Sequence, residues 1–479
     1  MNKLFLIGGI SALCIACSVG PDYQPPKIYN DGELSENLLL TPYSKAKISP
    51  YWYRNFGDEN LNRFIDLGLK NSPNIKTAKE NLKQARYQLY INQAGFLPFF
   101  DAKGEYSKSN QNLAGSFPVD SDFYQVGADA TWEIDIWGGQ RRLNESSLAL
   151  LEATASDFDN VKISLIAEIA NQYIGWKSVE KQITLTEKNI NFQKEIFENE
   201  KIKYQSGLSD DLTFEQAKSL LSSTQMQLPA LKAKEKAYQN ALAVLIGVLP
   251  DKITKSSENL LDKKPAFDLS LLHDLPAEII RNRPDVKSAE RKLASENALI
   301  GNRLANLFPS LSLSAFLGYQ NNTLAPIFAP DFNMYSNQAL VSLPILHWGE
   351  LVNNVKIQKS KTRQAFNLYQ SAILTAVSDI SNAIKSVEEE VKRNEYSHNA
   401  MKSSRNVSEL SLKKYQNGLT DFSDVLTAEK NKISAENEYI ASNAQVYLNI
   451  ISFYKSIGGG LASNQDNRSC RANTSNKTD

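Results

Sequence analysis

The stretch YQVGADATWEIDI at 124–136 places Tyr124, Val126, Ala128, Ala130, Trp132, Ile134 and Ile136 in strict alternation with Gln125, Gly127, Asp129, Thr131, Glu133 and Asp135. A period of two predicts a β-strand with one apolar and one polar face. Upstream, Phe100, Ala102, Gly104 and Tyr106 alternate with Asp101, Lys103, Glu105 and Ser107, and the loop NQNLAGSFPVDSD separates the two runs. The pattern returns at Leu311, Leu313, Ala315, Leu317 and Tyr319, with a partner strand expected over Tyr335 to Ile345. For one hairpin, a half-buried soluble sheet is the simpler reading. Four strands with apolar outer and polar inner faces also fit a membrane barrel with a wet lumen. Four strands cannot close, because the smallest such barrels need about eight. Open edges are not tolerated in hydrocarbon, so several chains would have to share one barrel.

The chain is duplicated. Asn71-Ser72-Pro73-Asn74-Ile75-Lys76 reappears as Asn282-Arg283-Pro284-Asp285-Val286-Lys287, and Tyr204-Gln205-Ser206-Gly207-Leu208 as Tyr415-Gln416-Asn417-Gly418-Leu419. The offset is 211 in both cases, and Gly139 set on Gly349 suggests a slip of one residue between them. Past Gly139 nothing breaks a helical pattern until Gly207. At 1.5 Å per residue that run extends about 100 Å, and lengths beyond about 25 residues point to coiled-coil packing. A polar turn, GLSDDL, leads into a returning helix from Thr213 to Val248, which Pro229 should interrupt. Copy two repeats the plan from Gly349 to Asn417, turns at Gly418-Leu419-Thr420-Asp421, and returns to Ile457.

Lys3 is followed by the apolar run LFLIGGISALCIA at 4–16. About 13 residues is too short for a membrane-spanning helix and suits an export signal over 1–16. Small and apolar residues before Cys17 resemble a bacterial lipobox, with Cys14 where leucine is usual, which implies lipid attachment at Cys17. An ordinary signal peptide cleaved nearby is the alternative. Ser18, where an aspartate would resemble an inner-membrane retention signal, favours the outer membrane. The 479 residues carry 53 basic and 53 acidic side chains, which removes the case for a basic nucleic-acid binder. With 3 His and 3 Cys, and no phosphate-binding loop or nucleophile arrangement, neither an enzyme nor a cofactor is expected. Residues 461–479 read as a polar, disordered tail.

Several passages together resemble one family: CSVGPDYQPP at 17–26, WYRNFGDENLNRFIDLGLKNSPNI at 52–75, TWEIDIWGGQRR at 131–142, the tips YQSGLSDDL and YQNGLTDFSDVLTAEK, and FYKSIGGG at 453–460. The chain is similar to the TolC-like outer membrane factors, in the lipoprotein branch that serves resistance-nodulation-division pumps. The resemblance implies a mainly α fold with membrane β: a homotrimer with a 12-stranded β-barrel, four strands per chain, above a long antiparallel α-helical coiled-coil barrel. It implies a lipidated segment at 17–72 and repeats over 73–270 and 271–460, with strands near 99–113, 123–137, 310–320 and 334–346. It also implies a periplasmic adaptor and an inner-membrane pump as partners. Gly207 and Leu208, with Gly418 and Leu419, would form the adaptor-contact tips. Asp424, Asp421 and Tyr415 would form the periplasmic gate, and three copies of Asp424 would make a carboxylate ring. Thr427 stands where a second ring aspartate is usual, and Thr420 where Tyr415 would have a basic partner. Asp210, Asp211 and Asp421 equally suit solvated tip charge or caps on the returning helices.

Passive efflux of small molecules is the leading functional reading. An exit channel for an ATP-driven protein or peptide secretion system is a second, and a lipid-anchored periplasmic scaffold a third.

Overall fold

The computed structural model describes residues 18–29, 33, 48–111, 119–253, 259–263, 265, 267–272 and 278–463. The expected export signal, Cys17, residues 112–118 of the loop NQNLAGSFPVDSD and the tail from 464 lie outside the described residues. The chain divides into two compact units. One takes the described residues of Met1–Pro26, Asn81–Ala155 and Ser288–Gln370; the other takes those of Lys27–Glu80, Ser156–Lys287 and Ser371–Asp479.

In chain order the helices and strands are α1 (Glu59–Asn71), α2 (Pro73–Ala94), β1 (Phe99–Gln111), β2 (Val119–Ile134), α3 (Gly139–Gln205), α4 (Asp211–Gln225) and α5 (Gln227–Ile246). Then follow α6 (Glu278–Asn282), α7 (Pro284–Ala305), β3 (Ser310–Asn321), β4 (Asn333–Ser342), α8 (Glu350–Gln416) and α9 (Phe422–Ser456). The duplication is visible in the bounds. Helices α2 and α7 begin on Pro73 and Pro284, where proline's missing N–H costs nothing. The long helices α3 and α8 have 67 residues each. Gly138 and Gly349 both take positive φ, at +78° and +84°. They are therefore the equivalent pair, and the offset stays at 211; the one-residue slip suggested by Gly139 is not there.

In the first unit the sheet order is β1-β2-β3-β4, all antiparallel. Register puts Val126 opposite Tyr319, Ala128 opposite Leu317 and Trp132 opposite Leu313, giving one apolar face. The other face carries Glu133 opposite Ser312 and Thr131 opposite Ser314. It also sets Asp101 directly against Asp129. Like charges directly opposite are destabilising, so this pair needs water around it. β4 stops at Ser342, short of the expected Ile345, because Pro344 has no N–H for the ladder.

Asp135 corrects the strand reading. β2 ends at Ile134, and the Asp135 carboxylate accepts the Gln140 and Arg141 amides at 3.0 Å each while pairing with the Arg141 guanidinium at 3.3 Å. It closes the start of α3 and does not extend the alternation into a lumen. Trp137 stacks on Phe308 (4.7 Å) and donates to the Pro309 carbonyl at 2.7 Å, so it is packed at the junction. Trp132 donates to the Phe96 carbonyl at 3.1 Å, while Trp348 is exposed.

The residues after Cys17 form a strap in this unit. The Val19 amide donates to the Trp137 carbonyl at 2.9 Å. Buried Arg142 donates to the Val19 and Gly20 carbonyls (3.2 Å each), to Asp22 (2.7 Å) and to Glu145 (2.8 Å). Gly20 lies against Gly301 so closely that a Cβ on Gly20 would come 2.4 Å from the Gly301 Cα.

The second unit has an aromatic core. Trp52 stacks on Tyr454 at 4.7 Å, Phe56 meets Tyr447 at 5.3 Å, and Tyr173 donates to Asp58 at 2.8 Å. Asp58 also caps α1, accepting from the Leu61 amide at 2.9 Å. The return of copy one is broken between α4 and α5 at Met226, just ahead of Pro229, which cannot donate to the carbonyl of Gln225. Ile440 holds the equivalent position in copy two, and α9 runs unbroken for 35 residues.

Candidate functional site at the helical tips

Both tips are built by the same helix stop. Gly207 has φ +71° and Gly418 has φ +70°, with no atom within 4 Å of where a Cβ would stand. Backbone conformation therefore requires glycine here, and crowding does not. The Gly207 amide donates to the Tyr204 carbonyl (3.0 Å) and the Leu208 amide to the Lys203 carbonyl (2.8 Å). Gly418 and Leu419 repeat this with Tyr415 and Lys414, both at 2.9 Å. These bonds satisfy the last carbonyls of α3 and α8. Leu208 and Leu419 are left 80% and 74% exposed.

The aspartates separate into different roles. Asp210 caps α4, accepting from the Thr213 amide at 2.8 Å, and hydrogen bonding from Thr213 holds its carboxyl below the usual range. Asp421 occupies the N-cap position of α9, but its carboxylate accepts no capping hydrogen bond; only its carbonyl receives the Asp424 amide, at 3.1 Å. Side-chain capping therefore holds for Asp210 and not for Asp421. Asp424 is exposed in the first turn of α9, where the helix dipole favours a negative charge, and Thr420 donates its hydroxyl to it.

Tyr415 finds a partner that the sequence reading missed. Its hydroxyl donates to Oε2 of Glu200 at 2.8 Å. Glu200 is 2% exposed and also receives Lys203 at 2.7 Å and Ser209 at 3.4 Å. The Lys203 ammonium sits 4.6 Å from the centre of the Tyr415 ring. Burial and the adjacent carboxylate push the tyrosine hydroxyl well up, so it stays a donor. Beneath lies an apolar cluster of Ile196, Ala217, Phe422 and Val425, against which Tyr415 packs. In sequence, Glu200 and Lys203 look like any surface i,i+3 pair, and nothing marks the glutamate as buried. The structure thus brings Tyr415 to Glu200 and Asp424 to Thr420, and leaves both leucines free at the tips.

Among the described residues, no group of three or more His, Cys, Asp or Glu side chains could hold a metal ion, and no helix is long and apolar enough to cross a membrane.

Residues 64–248 and 275–459 match the family described as Outer membrane efflux protein. The chain belongs to that family. The two matched stretches follow the internal duplication. As an outer membrane efflux protein, the chain is a non-catalytic exit duct of the resistance-nodulation-division type of tripartite pump for small molecules. It acts as a homotrimer with a periplasmic adaptor and an inner-membrane pump. Three four-stranded sheets make the twelve-stranded barrel, which closes the edges that β1 and β4 leave open. The outer-membrane channel OprN has a similar structure, with a TM-score of 0.84 and 27% identity over 92% of this chain and 99% of that one. Among curated relatives, Nodulation protein T of Rhizobium leguminosarum bv. viciae is 26% identical, covering 96% of this chain and 95% of its own length. The solvent efflux pump outer membrane protein SrpC of Pseudomonas putida is 27% identical, covering 97% and 98%.

Proposed function

We propose that this outer membrane efflux protein is a lipid-anchored duct for small apolar organic compounds, closed at rest by its periplasmic tips. The observation that carries the gate reading is the contact of Tyr415 with buried Glu200, which ties the tip of one repeat to that of the other. Asp424, with Asp421 nearby, supplies the entrance carboxylates, and three copies around one axis form a ring that favours cations. Exposed Leu208 and Leu419, next to Gly207 and Gly418, offer the adaptor apolar contacts at the two tips. The solvent pump of Pseudomonas putida among the relatives supports an apolar cargo.

Lipid anchoring at Cys17 is supported by the strap. Ser18 lies against Gly138, where a Cβ would meet its Oγ at 2.6 Å, and Val19 is bonded to Trp137. The residue after Cys17 is thus held where β2 gives way to α3, at the edge of the membrane strands, so an acyl chain there would enter the adjacent leaflet. The chain is read as exported signal 1–16, anchored segment 17–72, two repeats over 73–270 and 271–460, and a tail.

Deleting the gene should raise cellular retention of toluene-like solvents, and the wild-type gene should restore export. Unchanged retention would contradict the cargo. Cells fed an alkyne-tagged palmitate should label the wild-type protein and not Cys17→Ser; equal labelling of both would remove the anchor.

A further inference from the structure

The second unit holds a cavity of about 500 Å³ that the duct reading does not use. Its floor is Arg283, 7% exposed and fully engaged. The guanidinium donates to Asp285 (3.1 and 2.7 Å), to Asp379 (3.0 Å) and to the Ser456 carbonyl (2.8 Å). It pins the start of α7 to the end of α9 and has nothing left for a ligand.

The walls differ from the floor. Asn160, Ser164, Ser452 and Lys455 line the cavity, and among the described residues their side chains have no hydrogen-bond partner. Asp379 lines it too, with its side chain 47% exposed beyond the bond to Arg283. Asp285 lines it as well, with its side chain 35% exposed, so beyond the pairs to Arg283 the cavity offers the Lys455 ammonium, two partly exposed carboxylates, and amides and hydroxyls. No aromatic ring lines it, so nothing would stack on a nucleobase or sugar face, and its few apolar atoms do not suit a solvent-like cargo.

The other repeat provides an internal control. The equivalent positions, 211 earlier, carry Gly175 for Ser386 and Tyr238 for Asn449. There the Tyr238 ring lies on Gly175 so closely that a Cβ would stand 2.4 Å from its Cε1. In copy two, Asn449 instead donates to the Ser386 carbonyl at 2.8 Å, and the cavity stays open.

We propose that this cavity binds a short zwitterionic peptide, its carboxylate at Lys455, its ammonium at Asp379 and its backbone amides on the Asn and Ser side chains. Stem peptides of the periplasmic wall polymer, which a duct reaching from pump to outer membrane has to pass, have this chemistry. Free peptides of the same kind share it.

The test uses the purified full-length trimer, titrated with the synthetic tripeptide Ala-γ-D-Glu-diaminopimelate and separately sedimented with isolated wall sacculi. The double variant Ser386→Gly/Asn449→Tyr fills the cavity as copy one does, and Lys455→Met removes the cation without filling it. The wild type should bind the tripeptide, Lys455→Met should weaken binding about tenfold, and the filled variant should not bind. Native mass should remain that of a trimer in both. Co-sedimentation lost in the same variants assigns the site to wall-borne stems; tripeptide binding without co-sedimentation assigns it to free peptides. No binding by the wild type, or equal binding by wild type and Lys455→Met, would overturn the proposal.

Discussion

Tyr415 and Glu200 lie 215 positions apart, one in each repeat, and are joined by a 2.8 Å hydrogen bond from the phenol to the carboxylate. The acceptor is buried, so losing the donor leaves a charged group short of a partner. Removing a hydrogen bond to such a group costs about 1.5–3 kcal/mol. Tyr415→Phe should therefore loosen the tips, seen as faster amide exchange around 196–208 and higher conductance in planar bilayers. The linkage has a definite sign. The hydroxyl's pKa is raised in the folded state, so its contribution is complete below the ordinary tyrosine value of about 10 and is lost as pH rises beyond it. Wild-type conductance should climb in that alkaline range by an increment absent from Tyr415→Phe. Identical profiles would mean that the contact does not hold the tips.

Asp424 is exposed and near a helix N-terminus, with a threonine hydroxyl as its side-chain partner. In the proposed ring, three copies around a narrow entrance would attract multivalent cations more than monovalent ones. Asp424→Ala should weaken block by trivalent cations more than it raises conductance at low salt. Unchanged block would remove the ring.

Gly418 stands in open space with φ +70°, so alanine there meets no neighbour but must adopt a left-handed backbone. That costs roughly 1–2 kcal/mol. Gly418→Ala should speed amide exchange at residues 414–422 without changing assembly. Gly207→Ala should do the same at the other tip, and a variant as protected as wild type would show that the turn tolerates the side chain.

The duplication, the four strands and the long helices were legible because each has a period that covers many residues. Asp135 was misread because alternation continues two residues past the ladder, to Ile136, and only the helix that follows reveals Asp135 as a cap. The Pro229 break was legible from covalent chemistry alone. Glu200 was not, since its burial arises from a partner 215 residues away and leaves no local pattern. Tyr415 was named through the family resemblance, yet its true acceptor required three-dimensional packing.

The strap gives a prediction independent of the tips. Arg142 holds two of its carbonyls and Asp22. Arg142→Met should release residues 18–26 to protease in detergent while the twin repeats remain folded. Protection equal to wild type would show that Gly20 packing suffices.

The central claim is that four strands from one chain become a closed barrel only in a trimer. Native mass measurement on protein extracted from purified outer membranes tests it most directly. A species of three chains, resistant to dissociation in detergent, is the predicted result; a monomer, or recovery in the soluble periplasmic fraction, would contradict the account.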